Sequence, residues 1–241
     1  LGLRLSMVAS LQMFQQSLLS SLSNAGLPTT ELAFASAFFP LGKVLSTVWL
    51  LLTPTSTDLP HALRVAARLL CVGSAVAALP FPAALPLGRL LMGAGAGVGF
   101  VCAPLLLCWL LPPSARTSHF FVLGESFAAS ALLAYAIPLL AHSLRSVLLL
   151  SSAFTFICGL EPSMDAAMDN VVASFCHEPE SGDFLLSERP KLLVAVLMLL
   201  NASCGVPVLL AFSPLLFEFA GLSRTASLRL SLAIPIAQVS L

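Results

Sequence analysis

The sequence predicts an all-α integral membrane protein, and its composition and its apolar patterning carry that prediction. Of the 241 residues, 58% are apolar and only 9% are charged, whereas a soluble domain carries roughly 25% charged residues. A soluble enzyme of this size would therefore lack the polar side chains needed to cover its surface. The apolar residues form continuous runs rather than alternating with polar ones, which favours membrane helices over barrel strands.

Eight apolar runs approach the length of about 20 residues that crosses roughly 30 Å of hydrocarbon. They lie near residues 3–22, 31–53, 62–80, 84–111, 117–140, 144–160 and 191–216, and from 226 to the last residue. The first run is diluted by glutamines and serines, which a helical bundle can turn toward its interior. Because the chain begins with Leu1 and ends within an apolar run, we expect an incomplete product.

A hydrophilic segment divides these spans. Residues 162–189 contain six of the eleven acidic side chains, together with a glycine and two prolines. We therefore predict an aqueous linker between a six-helix bundle in residues 1–161 and the start of a second bundle in residues 190–241. Six Lys and Arg residues lie at one set of helix ends and four at the other. Because cytosolic ends carry more Lys and Arg, we expect the linker and the N-terminus of this multi-pass protein to lie in the cytosol.

Several functional classes are excluded or disfavoured. Eleven basic residues balance eleven acidic ones, so no basic face for nucleic acid is expected. Cys176 and His177 in the linker have no partners at metal-ligand spacing, so we predict neither a metal site nor a cofactor. An intramembrane enzyme is disfavoured because no paired aspartates and no Ser/His pair lie at a suitable depth, and we name no catalytic residue.

The run GRLLMGAGAGVG is rich in glycine but does not fit a dinucleotide-binding loop. No strand precedes it, and no acidic residue follows about twenty residues on. The spacing of Gly93 with Gly97, and of Gly95 with Gly99, instead predicts two small-residue helix faces where neighbouring backbones approach closely. Arg89 lies near the end of this span, where we expect its guanidinium to snorkel or to pair with another group.

Two distant blocks carry a family resemblance. Residues 88–116, GRLLMGAGAGVGFVCAPLLLCWLLPPSAR, resemble the fourth helix of the sugar-transporter branch of the major facilitator superfamily. Residues 189–222 are similar to its seventh helix. The positions that match there in register are Ser213, Pro214, Phe217, Glu218, Ala220 and Gly221. The resemblance covers nearly the whole of this chain, but only the first two thirds of the length of such a transporter. It implies a major-facilitator-type N-terminal six-helix bundle plus the first one or two helices of the C-terminal bundle.

The resemblance implies a carrier that moves a hexose, or a related sugar or polyol, by alternating access, either facilitative or proton-coupled. Membrane lipid is the other implied partner, while the particular membrane and the oligomeric state stay open. In the family, amide side chains contact the sugar from helices five and seven. The matching positions here are Gly124, Asn201, Ala202 and Pro207, so one amide remains.

The resemblance also assigns gating or structural positions at helix ends. They are Asp58, Gly88, Arg89, Arg116, Arg145, Glu161 and Glu218. In the family, ion pairs at these ends close one face of the carrier. The acid that pairs with Arg116 is replaced by Trp109, and losing a partner leaves a charge uncompensated. This supports an alternative function, a transport-incompetent, truncated or decayed relative that acts through membrane helix contacts.

Glu125 is a candidate that follows from the residues themselves. It lies nine residues after Arg116, about 13 Å along a helix, so it is expected near mid-membrane, where an acid costs about 2.5 kcal/mol or more. We expect Glu125 to supply the polar group missing at Gly124 or to bind a transported proton; the alternative is a hydrogen-bonded acid without function. Gln15 and Gln16 are candidates for the cavity wall, with interior polar packing as the alternative.

Overall fold

The computed structural model describes residues 9–11, 14, 15, 17, 18, 29–52, 59–81, 83–111, 113–140, 143–159, 196, 213, 216–223, 226, 227, 229–231, 233 and 236. The regular elements in these residues are all α-helices. Helix α1 is described at its helical positions between residues 9 and 18. The other helices are α2 (Thr29–Leu52), α3 (Leu59–Ala77), α4 (Ala84–Leu110), α5 (Pro113–Leu140) and α6 (Leu144–Gly159). The whole acidic linker, and most of the seventh and eighth predicted spans, lie outside the described residues.

The observed bounds confirm the helices predicted between residues 31 and 160, and three helix ends differ from the prediction by three or four residues. Helix α3 begins at Leu59, three residues before its predicted start. Helix α3 ends at Ala77 rather than at residue 80, because a proline at 80 disfavours helical geometry in the residue before it. Helix α5 begins at Pro113, four residues before the predicted start. Proline is favoured at a first helical position, since its fixed φ suits the helix and it has no N–H to leave unbonded.

Three of the described helices are long and apolar enough to cross a membrane. Their apolar stretches are Ala33–Leu50, Ala84–Cys108 and Ser114–Ile137. Large apolar side chains, such as Phe34 and Leu45, are exposed on the outer side of α2. An outward face of this kind suits a hydrocarbon environment, because exposing apolar side chains to water costs free energy in proportion to their area.

Helix α4 lies between α2 and α3, and its glycines permit that position. A Cβ atom at Gly93 would overlap the backbone carbonyl of Phe39 in α2, and one at Gly97 would overlap Ser46. A Cβ atom at Gly95 would lie 2.6 Å from the backbone oxygen of Ala66 in α3. The face of Gly93 and Gly97 is therefore directed at α2 as predicted. Of the second predicted face, Gly95 approaches α3 closely, whereas a Cβ atom at Gly99 would lie an ordinary 3.9 Å from Ala66.

Helix α1 is held by α4, α5 and α6. Its Phe14 ring lies 4.6 Å from the ring of Phe154 in α6, measured between centroids. The hydroxyl of Ser130 in α5 donates to the hydroxyl of Ser10 at 2.8 Å. Phe14 belongs to an apolar core that also contains residues of α2, α3, α4, α5 and α6, such as Phe39. Both apolar packing and buried hydroxyl contacts therefore fix α1 in the bundle.

We expect Gly93→Val to destabilise the bundle, because the new side chain would separate α4 from α2. Overpacking of a tight interface costs about 1–3 kcal/mol and sometimes more. The matched control is Gly124→Val on α5, where an added Cβ atom meets nothing within 4 Å. Thermal unfolding of the detergent-purified protein should show a lower midpoint for Gly93→Val only. Equal midpoints in the two variants would contradict the close approach of α2 and α4.

Candidate functional site

Arg89 is a fully buried charged side chain within an apolar helix. It lies five residues after the start of α4, about 8 Å along the helix axis, and is 1% exposed. Its Nη1 atom donates to the backbone carbonyl of Gln15 in α1. Its Nε atom donates to the backbone carbonyl of Ala35 in α2 at 3.4 Å. The guanidinium thus connects three helices through main-chain oxygens.

Phe39 completes the surroundings of Arg89. The Cζ atom of Arg89 lies 4.8 Å from the centroid of the Phe39 ring, within the range of a cation–π interaction. Of the two expectations for Arg89, the structure shows pairing rather than snorkelling. The partners are two backbone carbonyls and an aromatic face, which α1 and α2 bring to the guanidinium.

Gly88 faces α3, on a different side of α4 from Arg89. A Cβ atom at Gly88 would lie 2.5 Å from the backbone oxygen of Gly73 in α3. Successive residues of a helix are turned by about 100°, so the residue after this contact with α3 points toward another neighbour. The Gly-Arg pair therefore has two structural roles: the glycine admits α3, and the arginine holds α1 and α2.

A second cation lies on the same aromatic ring, at a position that no sequence motif predicted. The Nζ atom of Lys43, one turn after Phe39 in α2, lies 5.2 Å from the Phe39 ring centroid. The hydroxyls of Ser46 and Thr47 both donate to the backbone carbonyl of Lys43, at 3.0 and 2.8 Å. The signal was available, because Lys43 and Lys191 are the two lysines of the sequence and Lys43 lies inside an apolar span.

Gln15 is buried in the interface between α1 and α6. The side chain is 0% exposed, and its Nε2 atom donates to the hydroxyl of Thr155 at 2.7 Å. The same hydroxyl donates to the backbone carbonyl of Ser151 at 2.8 Å. The Oε1 atom of Gln15 is buried without a hydrogen-bond partner in the described bundle. A buried amide oxygen of this kind can accept a hydrogen bond from a hydroxyl or a water.

Gly124 and Glu125 lie on the exposed face of α5. The exposed positions include Thr117, Phe121, Glu125, Ala129 and Leu133, which recur every four residues. A Cβ atom at Gly124 would meet nothing within 4 Å, so the space next to Glu125 is open. The structure therefore does not bring Glu125 into the buried group around Arg89, and the predicted site residues fall into two separate places.

Two of the arginines assigned to helix ends are described at such ends. The half-buried Arg116, near the start of α5, donates from Nε to the backbone carbonyl of Leu111 at 3.0 Å. Basic side chains commonly bind such carbonyls at the C-terminal end of a helix, here that of α4. Arg145 is exposed in the first turn of α6. In the family this arginine pairs with an acid, whose position is taken by Trp109 here. The side chain of Arg116 binds a main-chain carbonyl instead.

Glu218 and Ser213 represent the seventh-helix motif in the structure. Glu218 is half-buried, and its Oε1 atom is buried without a partner among the residues placed by the structure. The buried hydroxyl of Ser213 donates to that of Ser231 at 3.2 Å. The remaining predicted site residues lie outside the described residues. They are Gln16, Asp58, Glu161, Asn201 and Pro207.

The sequence matches no protein-family model and no curated protein, but solved structures do match. A crystal structure of a D-xylose-proton symporter superposes with a TM-score of 0.59 and 14% sequence identity, over 98% of this chain. This chain is similar in fold to that symporter. It spans 65% of the symporter chain. The match and the described helices together confirm the predicted all-α fold class, with a fold similar to that of the symporter.

We expect Arg89→Ala to lower the thermal unfolding midpoint of the purified protein. The change removes a large buried side chain together with its contacts to α1 and α2, and emptying such a site costs about 2–5 kcal/mol. The matched control, Arg145→Ala, removes an exposed arginine and should leave the midpoint nearly unchanged. An unaffected midpoint in Arg89→Ala would show that the guanidinium does not hold the three helices together.

Proposed function

We propose that the protein is a membrane carrier that moves a small solute by alternating access, with a hexose or a related sugar or polyol as the substrate class. The observation that most supports this proposal is the superposition of 98% of the chain on a D-xylose-proton symporter. In such bilobed carriers the substrate lies at the membrane midplane between two helical bundles. The first of these bundles corresponds to α1–α6 here.

Polar groups within the apolar helices also support a carrier. The buried Gln15 has an amide oxygen that accepts no hydrogen bond in the described bundle, and Glu125 is an acid within an apolar stretch of α5. Ionisable and amide groups at membrane depth are costly, and they commonly line a path for a solute or an ion. A hydroxyl-rich solute would supply the donors that such oxygens accept.

The residue assignments within this proposal follow the resemblance. The substrate contacts are proposed at Gln15, Gln16, Gly124, Glu125, Asn201 and Pro207. The helix-end positions proposed to close one face are Asp58, Arg116, Arg145, Glu161 and Glu218, while Gly88 and Arg89 maintain the packing described above. Since a carrier encloses its substrate between two bundles, we propose that the transport unit contains a second complete bundle.

We expect uptake of a labelled sugar by cells that lack their own sugar carriers and express the full transcript that encodes this chain. The probes are D-glucose and D-xylose, and a fluorescent fusion verifies membrane insertion. Cells expressing Gly93→Val serve as the control for a disrupted bundle. Uptake of neither probe, with normal insertion, would reject the neutral-sugar assignment and favour a transport-incompetent relative that acts through helix contacts.

We expect Glu125→Gln to abolish any stimulation of sugar uptake by external acid, because the amide cannot carry a proton at this position. Uptake is measured from neutral to mildly acidic pH for the wild type and the variant. The matched control is Glu31→Gln, an acid in the first turn of α2, which should keep the wild-type profile. A profile unchanged by Glu125→Gln would exclude proton coupling through this residue.

A further inference from the structure

We propose that the outer side of α3 binds an anionic phospholipid, and that Arg68 contacts the phosphate of its headgroup. The lipid belongs to the leaflet at the N-terminal end of α3, and its headgroup carries a net negative charge. This site is separate from the proposed transport path, because a lipid can bind to the outside of a bundle whether or not the bundle moves a solute.

The first argument is a row of basic residues on one side of α3. His61, Arg64 and Arg68 follow one another at spacings of three and four residues, and such spacings place side chains on the same side of a helix. His61 and Arg68 are exposed and Arg64 is half-buried, whereas Leu63 and Ala67 are buried in the bundle. The basic side of α3 is therefore its outer side.

The second argument is that this side continues as an apolar surface. Val72, one turn after Arg68, is 52% exposed, and Leu79, two residues after the end of the helix, is 50% exposed. Basic residues at one end and apolar residues over the rest match the change from headgroups to hydrocarbon at a membrane surface. Arg68 lies nine residues after the first residue of α3, about 13 Å along the axis. At this depth an arginine extends its stem toward the headgroups and binds there.

The third argument is the placement of the acidic residues. Helix α3 packs against α4 and α6, and neither of these helices contains an Asp or Glu. The acids in residues 1–159 are Glu31, Asp58 and Glu125. Asp58 directly precedes α3 in the sequence and lies outside the described residues. One acid at this end balances one of the two arginines, so the basic side keeps a net positive charge.

The other two acids belong to other parts of the bundle. Helix α2 runs parallel to α4 and α3 runs antiparallel to it, as the neighbours of the α4 glycines show. Glu31, in the first turn of α2, therefore lies at the opposite end of the bundle from the start of α3. Glu125 lies on the exposed side of α5, a helix that packs against α4 and α6. Neither acid shares the outer side of α3.

Arg68 is the residue assigned to the lipid. His61 and Arg64 take part in further contacts within the protein, and their role here is to add to the positive potential of the outer side. The guanidinium of Arg68 carries a permanent charge and several N–H donors, which suit phosphate oxygens. Cytosolic leaflets are rich in anionic lipids, and this end of α3 is the end expected in the cytosol.

The acidic linker is the competing occupant of this side, because residues 162–189 carry six acidic side chains and are expected in the cytosol. The apolar continuation of the side favours the lipid. A phospholipid covers both parts, the basic residues with its headgroup and Val72 and Leu79 with its acyl chains, whereas a hydrophilic segment would cover only the basic residues.

The test is displacement of radiolabelled phosphatidylglycerol from the purified full-length protein in detergent. The competitors are unlabelled phosphatidylglycerol, phosphatidylcholine with the same acyl chains, and glycerol 3-phosphate. The two lipids differ in net headgroup charge, and glycerol 3-phosphate is a phosphate without acyl chains. We expect phosphatidylglycerol to displace the label at about fivefold lower concentration than phosphatidylcholine, the factor for one basic side chain at an anionic membrane surface. Glycerol 3-phosphate should displace little, and added salt should reduce the preference.

The variants assign the site to Arg68. Arg68→Gln should weaken phosphatidylglycerol binding about fivefold and remove the preference over phosphatidylcholine. Arg68→Lys should keep the preference, because it keeps the charge. The matched control is Arg145→Gln, which removes an exposed arginine that is the only basic residue of α6, and it should bind like the wild type. Size-exclusion profiles check that each variant is folded, and the lipid preference of the wild type decides the question if Arg68→Gln does not fold.

Several outcomes would overturn the inference. Equal displacement by the two lipids, or by glycerol 3-phosphate and phosphatidylglycerol, rejects an anionic lipid site. A loss in Arg145→Gln as large as that in Arg68→Gln shows a general effect of charge. A triple variant, Glu178→Gln, Glu180→Gln and Asp183→Asn, tests the linker. Phosphatidylglycerol preference that appears only in this variant assigns the side to the linker instead.

The binding assay is independent of the uptake assay. Sugar uptake without a lipid preference rejects the lipid site and leaves the carrier function intact. A preference that depends on Arg68 supports the lipid site whether or not cells take up a sugar.

Discussion

The contact between the backbone of α4 and those of its two neighbours is the constraint on which the described bundle depends. Glycines at positions 93 and 97 admit α2, and those at 88 and 95 admit α3. Without side chains at these positions, helix axes can approach closely and gain dispersion contacts, which are a main source of helix association in lipid. This approach also brings the basic residues of α2 and α4 onto the single ring of Phe39.

Polar contacts then attach α1 to the packed helices. Its Gln15 carbonyl accepts from Arg89 in α4, its Ser10 hydroxyl accepts from Ser130 in α5, and its Gln15 amide donates to Thr155 in α6. Each contact satisfies a group that lipid could not satisfy. The glutamine and serine content that dilutes the first apolar run is therefore the means by which that run is positioned.

The helices could be predicted from the sequence, because hydrocarbon thickness fixes the length of an apolar run. Glycine spacing also identifies the helix faces that pack against neighbours. It could not indicate the burial of Arg89, since the acceptors belong to α1 and α2 and are known only once these helices are placed. The depth of Glu125 followed from helical rise, but its exposure depends on which side of α5 is covered. The family pattern assigns functional positions to amides and helix-end charges, and so it makes no prediction for Lys43.

The acceptors of Arg89 have a consequence for biosynthesis. Gln15 and Ala35 both precede Arg89 in the chain, so their helices leave the ribosome before α4 does. An arginine in an apolar helix is costly to place in lipid on its own. When α4 emerges, the oxygens and the aromatic face that receive its guanidinium have already been synthesised. The groups that bind this guanidinium are therefore synthesised before the helix that carries it enters the bilayer.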